Sequence, residues 1–202
     1  MTTLPLVLGS SSPYRKNLLE RLRLPFVTAS PDIDEQPLAG ETAEALVLRL
    51  ASDKAQALCR RFPEHLIIAS DQAAALPDGQ VLGKPGNHER ACEQLARCSG
   101  HPVCFYTGLT LLNSQTGQQD TIAETFTVHF RNLASTDIEN YLRTETPYDC
   151  AGSFRMEGLG IALFSRFEGR DPNSLIGLPL MALIDLLKKQ GVDVLAQAYR
   201  NS

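Results

Sequence analysis

Apolar residues along this chain come in two patterns, short continuous runs and stripes at three- and four-residue steps, as expected for strands interleaved with helices. Leu6-Val7-Leu8 reads as a buried strand, and Gly9-Ser10-Ser11-Ser12 leads from it into Pro13, which suits the first turn of a helix. Ser12 is the expected N-cap, and Leu18, Leu19 and Leu22 supply that helix's apolar face. A strand over 26–30 runs into the acidic loop Asp32-Ile33-Asp34-Glu35, and a long helix over 42–61 is ended by Pro63. Leu66-Ile67-Ile68-Ala69 is a continuous apolar strand of the kind found at the centre of a sheet. Asp78-Gly79 signals a turn toward a short strand at Val81-Leu82, and a helix over 88–98 stops near Gly100. In the second half, strands over 102–112 and 121–131 flank a turn at 113–117. Ser135 is expected to cap a helix running to Arg143, with Pro147 as terminator. One more strand is expected over 160–167, then a final amphipathic helix over 178–189 closed by Gly191. No repeat, low-complexity stretch or linker interrupts the alternation, so the expectation is α/β: a single domain over 1–202 with two lobes around one cleft.

Composition narrows the partners. With 202 residues, 43% hydrophobic and 21% charged, the chain can bury a full core, and disorder is excluded as its dominant state. No apolar run approaches the ~18 residues of a membrane span, and no basic flank precedes the first apolar run as in a secretory signal. The expectation is a cytoplasmic protein with no membrane partner. A net charge of -4 offers no bulk attraction to nucleic acid, so any anion must be caught by a few placed cations. Five cysteines, without a CxxC pair, argue against a disulfide framework or a thiolate zinc site and predict free thiols, most of them buried. The four histidines form no HExxH or other clustered ligand pattern, and neither GxSxG nor GxGxxG occurs.

Four placements break local rules. Arg15-Lys16 puts cations in a helical first turn, against the helix dipole, unless an anion binds there beside the serine hydroxyls. Taken alone, a solvated basic turn explains them slightly better. Lys54 falls inside the stripe of Leu46, Val47, Leu50 and Leu58, where a lysine either snorkels to solvent, the ordinary outcome, or reaches an acid or phosphate in a cleft. Ser70-Asp71-Gln72 follows the central strand directly, at the carboxyl end where open α/β sheets place ligands. An acid there can hold a divalent ion or activate water. Gly83-Lys84-Pro85 has a glycine for close approach and a point charge for phosphate, although it lacks Walker spacing and alone would be an ordinary loop. Three cations, a central acid and the acidic pair Asp34-Glu35 are together the inventory for a nucleotide polyphosphate with a metal ion.

The same constellation resembles the Maf family. Ser10-Ser11-Ser12-Pro13-Tyr14-Arg15, Asp34-Glu35, Lys54-Ala55, Ser70-Asp71-Gln72 and Gly83-Lys84-Pro85 occur in the family's order. Phe105-Tyr106-Thr107-Gly108, Ala151-Gly152-Ser153-Phe154, Gly169-Arg170-Asp171-Pro172-Asn173 and Gly177-Leu178-Pro179 extend the match to about residue 188. The chain looks closest to the YceF-like subgroup, whose members are 7-methyl-GTP pyrophosphatases. The resemblance implies an elongated mixed sheet flanked by helices, a homodimer, and hydrolysis between the α and β phosphates of a nucleoside triphosphate with Mg²⁺, Mn²⁺ or Co²⁺. By the same matching, Asp71 is the proton acceptor, Ser10, Arg15, Lys54 and Lys84 bind phosphate, and Glu35 with Asp71 holds the metal. Substrate specificity falls on Tyr14, Gln72 and Glu157, where members acting on dTTP and UTP tend to carry Arg, Thr and Gln. Glu157 can accept from guanine N1–H and N2–H₂, and Tyr14 can stack on a base that N7-methylation makes positive, a cation–π gain of ~0.5–2 kcal/mol. The subgroup often has Trp where this chain has Tyr14. Two alternatives remain open on the residues alone: a pyrophosphatase for ordinary dTTP, UTP or CTP, and a nucleotide-binding regulator of cell division.

Overall fold

The computed structural model describes residues 4–200 and shows how two-residue alternation builds the sheet. In β1 (Leu6–Gly9), Leu6 and Leu8 enter one apolar cluster and Val7 another, so the strand is buried on both faces. Helix α1 (Pro13–Glu20) leads to β2 (Phe26–Ala29), and α2 (Ala43–Leu58) leads to β3 (Leu66–Ala75) on the other side of β1. β1 pairs in parallel with both. β3 repeats the alternation: Leu66 and Ile68 join Leu6 and Leu8, while Ile67 and Ala69 join Val7 beneath α2.

From β3 onward the pairing is antiparallel. β4 (Val81–Leu82) is a short strand on the end of β3, and α3 (His88–Cys98) follows it. β5 (Pro102–Asn113) and β6 (Gln119–Phe130) form a long hairpin, and α4 (Ser135–Glu145) precedes β7 (Phe164–Gly169) at the sheet edge. The chain ends in α5 (Leu180–Lys189) and α6 (Val194–Arg200). The result is one mixed seven-stranded sheet, ordered β2-β1-β3-β5-β6-β7 with β4 on β3, flanked by helices. The α1 and α5 side packs leucines against β1, β3 and β5. A separate core joins α3, α4 and the outer strands, where Phe105, Phe130, Phe154 and Phe164 meet edge to face at 4.8–6.3 Å between ring centres.

Between these two packed regions the sheet has a gap. β1 leaves β3 at the Gly9–Ala69 pair, and β4 joins β3 only at Ala74. Residues 70–73 therefore have one unpaired edge, and they open onto a cleft. Their alternation sends Asp71 to the α2 side and Ser70 with Gln72 to the other. α2 can lie this close because Gly108, the β5 partner of Asp71, has no side chain: a Cβ there would sit 2.1 Å from the carbonyl oxygen of Val47.

The sequence-based expectations hold for most elements and need correction at five places. β3 continues to Ala75, so Ser70-Asp71-Gln72 lies inside the strand; what ends at Ala69 is its parallel partner. The segment expected as a strand over 160–167 is a 3₁₀ turn, Leu159–Leu163, and pairing begins only at Phe164. Helix α4 is N-capped by Ala134, not Ser135, because Asp137 Oδ2 reaches back to accept from the Ala134 N–H at 2.9 Å. Helix α2 closes at Leu58, where the N–H of the next residue, Cys59, turns to the Gln56 carbonyl three residues back. α5 starts at Leu180 and is followed by α6, which the amphipathic pattern did not reveal. All five thiols are free, but only Cys98 is fully buried.

Gly108→Ala should force α2 off the sheet, because the clash is with backbone that no rotamer change relieves. Overpacking of this kind costs about 1–3 kcal/mol, and the upper end is expected here. Urea denaturation of the variant measures it.

Candidate active site

The cleft, about 680 Å³, lies within the size range of small-molecule sites and is lined from β1, α1, the 30–37 loop, α2, β3, the 81–84 segment and residues 149–157. Its floor is a three-residue ion cluster. Lys54 is 5% exposed, and its Nζ lies 2.6 Å from Asp71 Oδ1 and 2.9 Å from Glu35 Oε1. Snorkelling, the ordinary expectation for a lysine in an apolar stripe, does not occur. α2 holds the Lys54 backbone against β3, and the side chain meets Asp71 there. Asp71 gives one carboxylate oxygen to Lys54, leaving Oδ2 as the oxygen through which it can take a proton.

Arg15 separates from Lys16, its neighbour in sequence. Lys16 stays on the surface, 3.8 Å from Glu20, as a solvated helix pair. Arg15 turns inward, and its Nε–H donates to the Gly177 carbonyl at 2.8 Å. Burial lowers the Arg15 pKa, and the charges of Asp71 and Glu35 partly counter that. A guanidinium anchored by a carbonyl and short of direct carboxylate partners is poised for an anion entering the cleft. Gly177 is needed for this: its φ of +112° favours glycine, and a Cβ would press on Arg15 Nε at 3.1 Å. Ser10 is buried, and its hydroxyl accepts from the Ser12 N–H at 3.1 Å, while Ser12 caps α1 as expected. The serine turn therefore presents the start of α1 to the cleft. Lys84 lines the opposite rim and is exposed.

The remaining site positions fall at the other end. Tyr14 is half-buried, and burial raises its pKa against the lowering effect of the Arg155 charge; Cys150, Asp149 and Glu157 add smaller upward pushes. Glu157 is exposed on the turn after Phe154 and lines the cleft with Tyr14. Gln72 is pinned, because its amide nitrogen donates to Ser174 O at 2.5 Å and Thr107 Oγ1 at 3.2 Å. With both hydrogens engaged, the group Gln72 has left to offer a ligand is its carbonyl oxygen.

Several contributors carry no motif-like signal of their own. Arg155 reaches Asp149 at 3.2 Å and frames the Tyr14 end of the cleft. Asp171 is fully buried, accepts from the Asn173 backbone and side-chain amides at 2.9 and 2.7 Å, and accepts from Met181 N–H at 2.8 Å. It thereby fixes the 3₁₀ turn Pro172–Ile176, whose Ser174 carbonyl holds Gln72, and the Gly177 carbonyl just beyond it, which holds Arg15 and lies 2.8 Å from the Ser70 hydroxyl. The only sequence signal for this support was the Gly169–Asn173 and Gly177–Pro179 match to the family.

The geometry defines a class: an α/β protein whose cleft sets a buried lysine, a half-buried arginine and a central carboxylate at one end and an aromatic ring beside an acid at the other. Residues 5–190 match the profile of the Maf-like proteins, and the chain belongs to that family. A 7-methyl-GTP pyrophosphatase of Pseudomonas syringae pv. tomato (strain ATCC BAA-871 / DC3000) is 59% identical to it over 189 residues, covering 94% of this chain and 98% of that protein.

Asp71 and Glu35 suit a divalent cation, since both carboxylates already converge on one positive charge, the Lys54 ammonium. Lys54→Met leaves those carboxylates facing each other without it. Removing one partner of a buried pair costs about 3–5 kcal/mol, and the lower end is expected because Glu35 is partly solvated. Chemical denaturation of the variant with and without millimolar Mg²⁺ reads the loss, and Mg²⁺ should restore part of it.

Proposed function

We propose that this chain hydrolyses the α–β phosphate bond of 7-methyl-GTP, releasing 7-methyl-GMP and pyrophosphate, as one catalytic unit over residues 1–202. The observation that carries the reading is the Lys54–Asp71–Glu35 cluster at the floor of a cleft that also holds Arg15. The identity with a 7-methyl-GTP pyrophosphatase supports the choice of base. Ser10, Arg15, Lys54 and Lys84 bind the polyphosphate, Arg15 and Lys54 from fixed positions and Lys84 from the rim. Lys54 holds Asp71 in place through Oδ1, and Asp71 takes a proton from the attacking water through Oδ2. A divalent cation, Mg²⁺, Mn²⁺ or Co²⁺, held by Asp71 and Glu35, would neutralise phosphate charge and orient the substrate.

Base selection follows from the other end of the cleft. Tyr14 stacks on the methylated ring, Glu157 accepts from the guanine N1–H and N2–H₂, and Gln72 presents its carbonyl oxygen. Thymine and uracil cannot give Glu157 two adjacent donors. The Arg155 charge beside Tyr14 is matched by Asp149, so it need not repel a cationic base. Free nucleotide is the partner rather than nucleic acid, in keeping with the chain's net charge of -4. None of the described helices is long and apolar enough to cross a membrane. The proposed setting is the cytoplasm, with the enzyme as a homodimer.

Asp71→Asn should lower pyrophosphate release from 7-methyl-GTP by at least about 100-fold, the scale of a positioned general base, with the fold retained by circular dichroism. Undiminished release from the folded variant removes Asp71 from the chemistry. Binding of nucleotide by the wild type with no turnover under any of the three metals would point instead to a regulator. Glu157→Gln should reduce turnover of guanine nucleotides more than that of dTTP or UTP, measured as kcat/KM for each. An equal loss on all of them takes Glu157 out of base recognition.

A further inference from the structure

Away from the cleft, three metal-type ligands meet between α3 and α4. His88 and Cys92 lie one helical turn apart on α3, and Glu139 faces them from α4. His88 Nε2 is 2.8 Å from Glu139 Oε2, Cys92 Sγ is 3.5 Å from His88 Nε2, and the same sulfur is 3.8 Å from Glu139 Oε2. With bonds of about 2.0–2.1 Å to nitrogen and oxygen and about 2.3 Å to sulfur, tetrahedral zinc spaces N and O about 3.3 Å apart and each about 3.5 Å from S. The cluster therefore needs shifts of only a few tenths of an ångström to close on such an ion. All three side chains are half-buried, which leaves an approach for the metal and for one water as fourth ligand.

The surrounding hydrogen bonds aim these atoms at one point. The Tyr148 hydroxyl donates to Leu142 O at 3.4 Å and lies 3.0 Å from His88 Nδ1. The Tyr148 hydroxyl thus holds the Nδ1 side of the ring and leaves Nε2 facing Glu139. A proton on Nε2 closes this 2.8 Å contact as a hydrogen bond to Glu139, and a metal would take that proton's place. With that proton in place the Cys92 thiol donates to Glu139 Oε2, whereas a metal would use nitrogen, oxygen and sulfur together as ligands. Glu139 is oriented from behind, because its other oxygen, Oε1, accepts from Arg143 Nε at 2.5 Å. Arg143 is thus a positive charge that works against a cation here, and it is the carboxylate's second partner.

From this geometry we propose that His88, Cys92 and Glu139 form a second metal site, separate from the nucleotide cleft, that takes Zn²⁺ or a similar borderline-soft divalent ion. The site is a clamp. His88 opens α3 immediately after the loop carrying Lys84, and Tyr148 opens the segment carrying Asp149, Cys150 and Glu157. Those two segments already touch through the Gly86 N–H, which donates to Tyr148 O at 3.0 Å. An ion binding α3 to α4 fixes both rims of the cleft without touching the nucleotide.

Co²⁺ added to metal-free protein tests this directly, because only a thiolate ligand gives a sulfur-to-cobalt charge-transfer band in the near ultraviolet. One equivalent should produce the band in the wild type and in Cys150→Ser, and none should appear in Cys92→Ser. An outer partner is worth about 10–100-fold in metal affinity, so loss of the ligand in Glu139→Gln should weaken Co²⁺ binding by about 100-fold or more. Zn²⁺ should raise the Tm of the wild type and of Asp71→Asn, but not that of folded Cys92→Ser. Absence of the band in the wild type, its persistence in Cys92→Ser, or its loss in Cys150→Ser overturns the proposal.

Discussion

The site depends on one buried ammonium. Lys54 lies where the helix pattern calls for an apolar side chain, and it is held there by Asp71 and Glu35 at 2.6 and 2.9 Å. Desolvating a lysine is costly, so this position is tolerable only with both acids present. The requirement runs outward through the fold. Asp71 must sit on the α2 side of β3, the 30–37 loop must bring Glu35 over the cleft, and α2 must lie close to the sheet. Gly108 permits that last approach. On the proposed function, polyphosphate affinity in a chain of net charge -4 rests on such placements, not on a surface field.

A second set of constraints holds the opposite face of β3. Ser70 and Gln72 point away from Lys54 and meet the backbone at Ser174 and Gly177, and Asp171 fixes the turn that carries those carbonyls. The same Gly177 oxygen anchors Arg15. One buried carboxylate with fully engaged oxygens thus positions a cation and an amide on the cleft without lining it. The floor of the cleft and its arginine are built by separate parts of the chain that meet at β3.

Much of this was legible in the sequence, for physical reasons. Continuous apolar runs marked β1 and β3, and Ser12-Pro13 marked the start of α1, because burial and capping are local demands. The charged placements were visible as rule-breaking residues, Arg15 and Lys54 above all, but their direction was not. Whether a lysine in an apolar stripe snorkels or pairs depends on an acid seventeen positions away, which periodicity does not encode. The 159–163 segment shows the same limit from the other side: Leu159, Ile161 and Leu163 alternate like a strand, yet Gly160 packs against the Arg155 carbonyl and the chain turns before pairing begins. His88, Cys92 and Glu139 escaped the search for clustered ligands because the third member comes from another helix.

Phosphorus NMR of the products formed from 7-methyl-GTP, wild-type protein and a divalent metal tests most directly whether these placed charges cleave between the α and β phosphates of a methylated guanine nucleotide. Resonances of a nucleoside monophosphate and pyrophosphate should appear together in equal amounts. A nucleoside diphosphate with inorganic phosphate, or unchanged triphosphate, would contradict that cleavage.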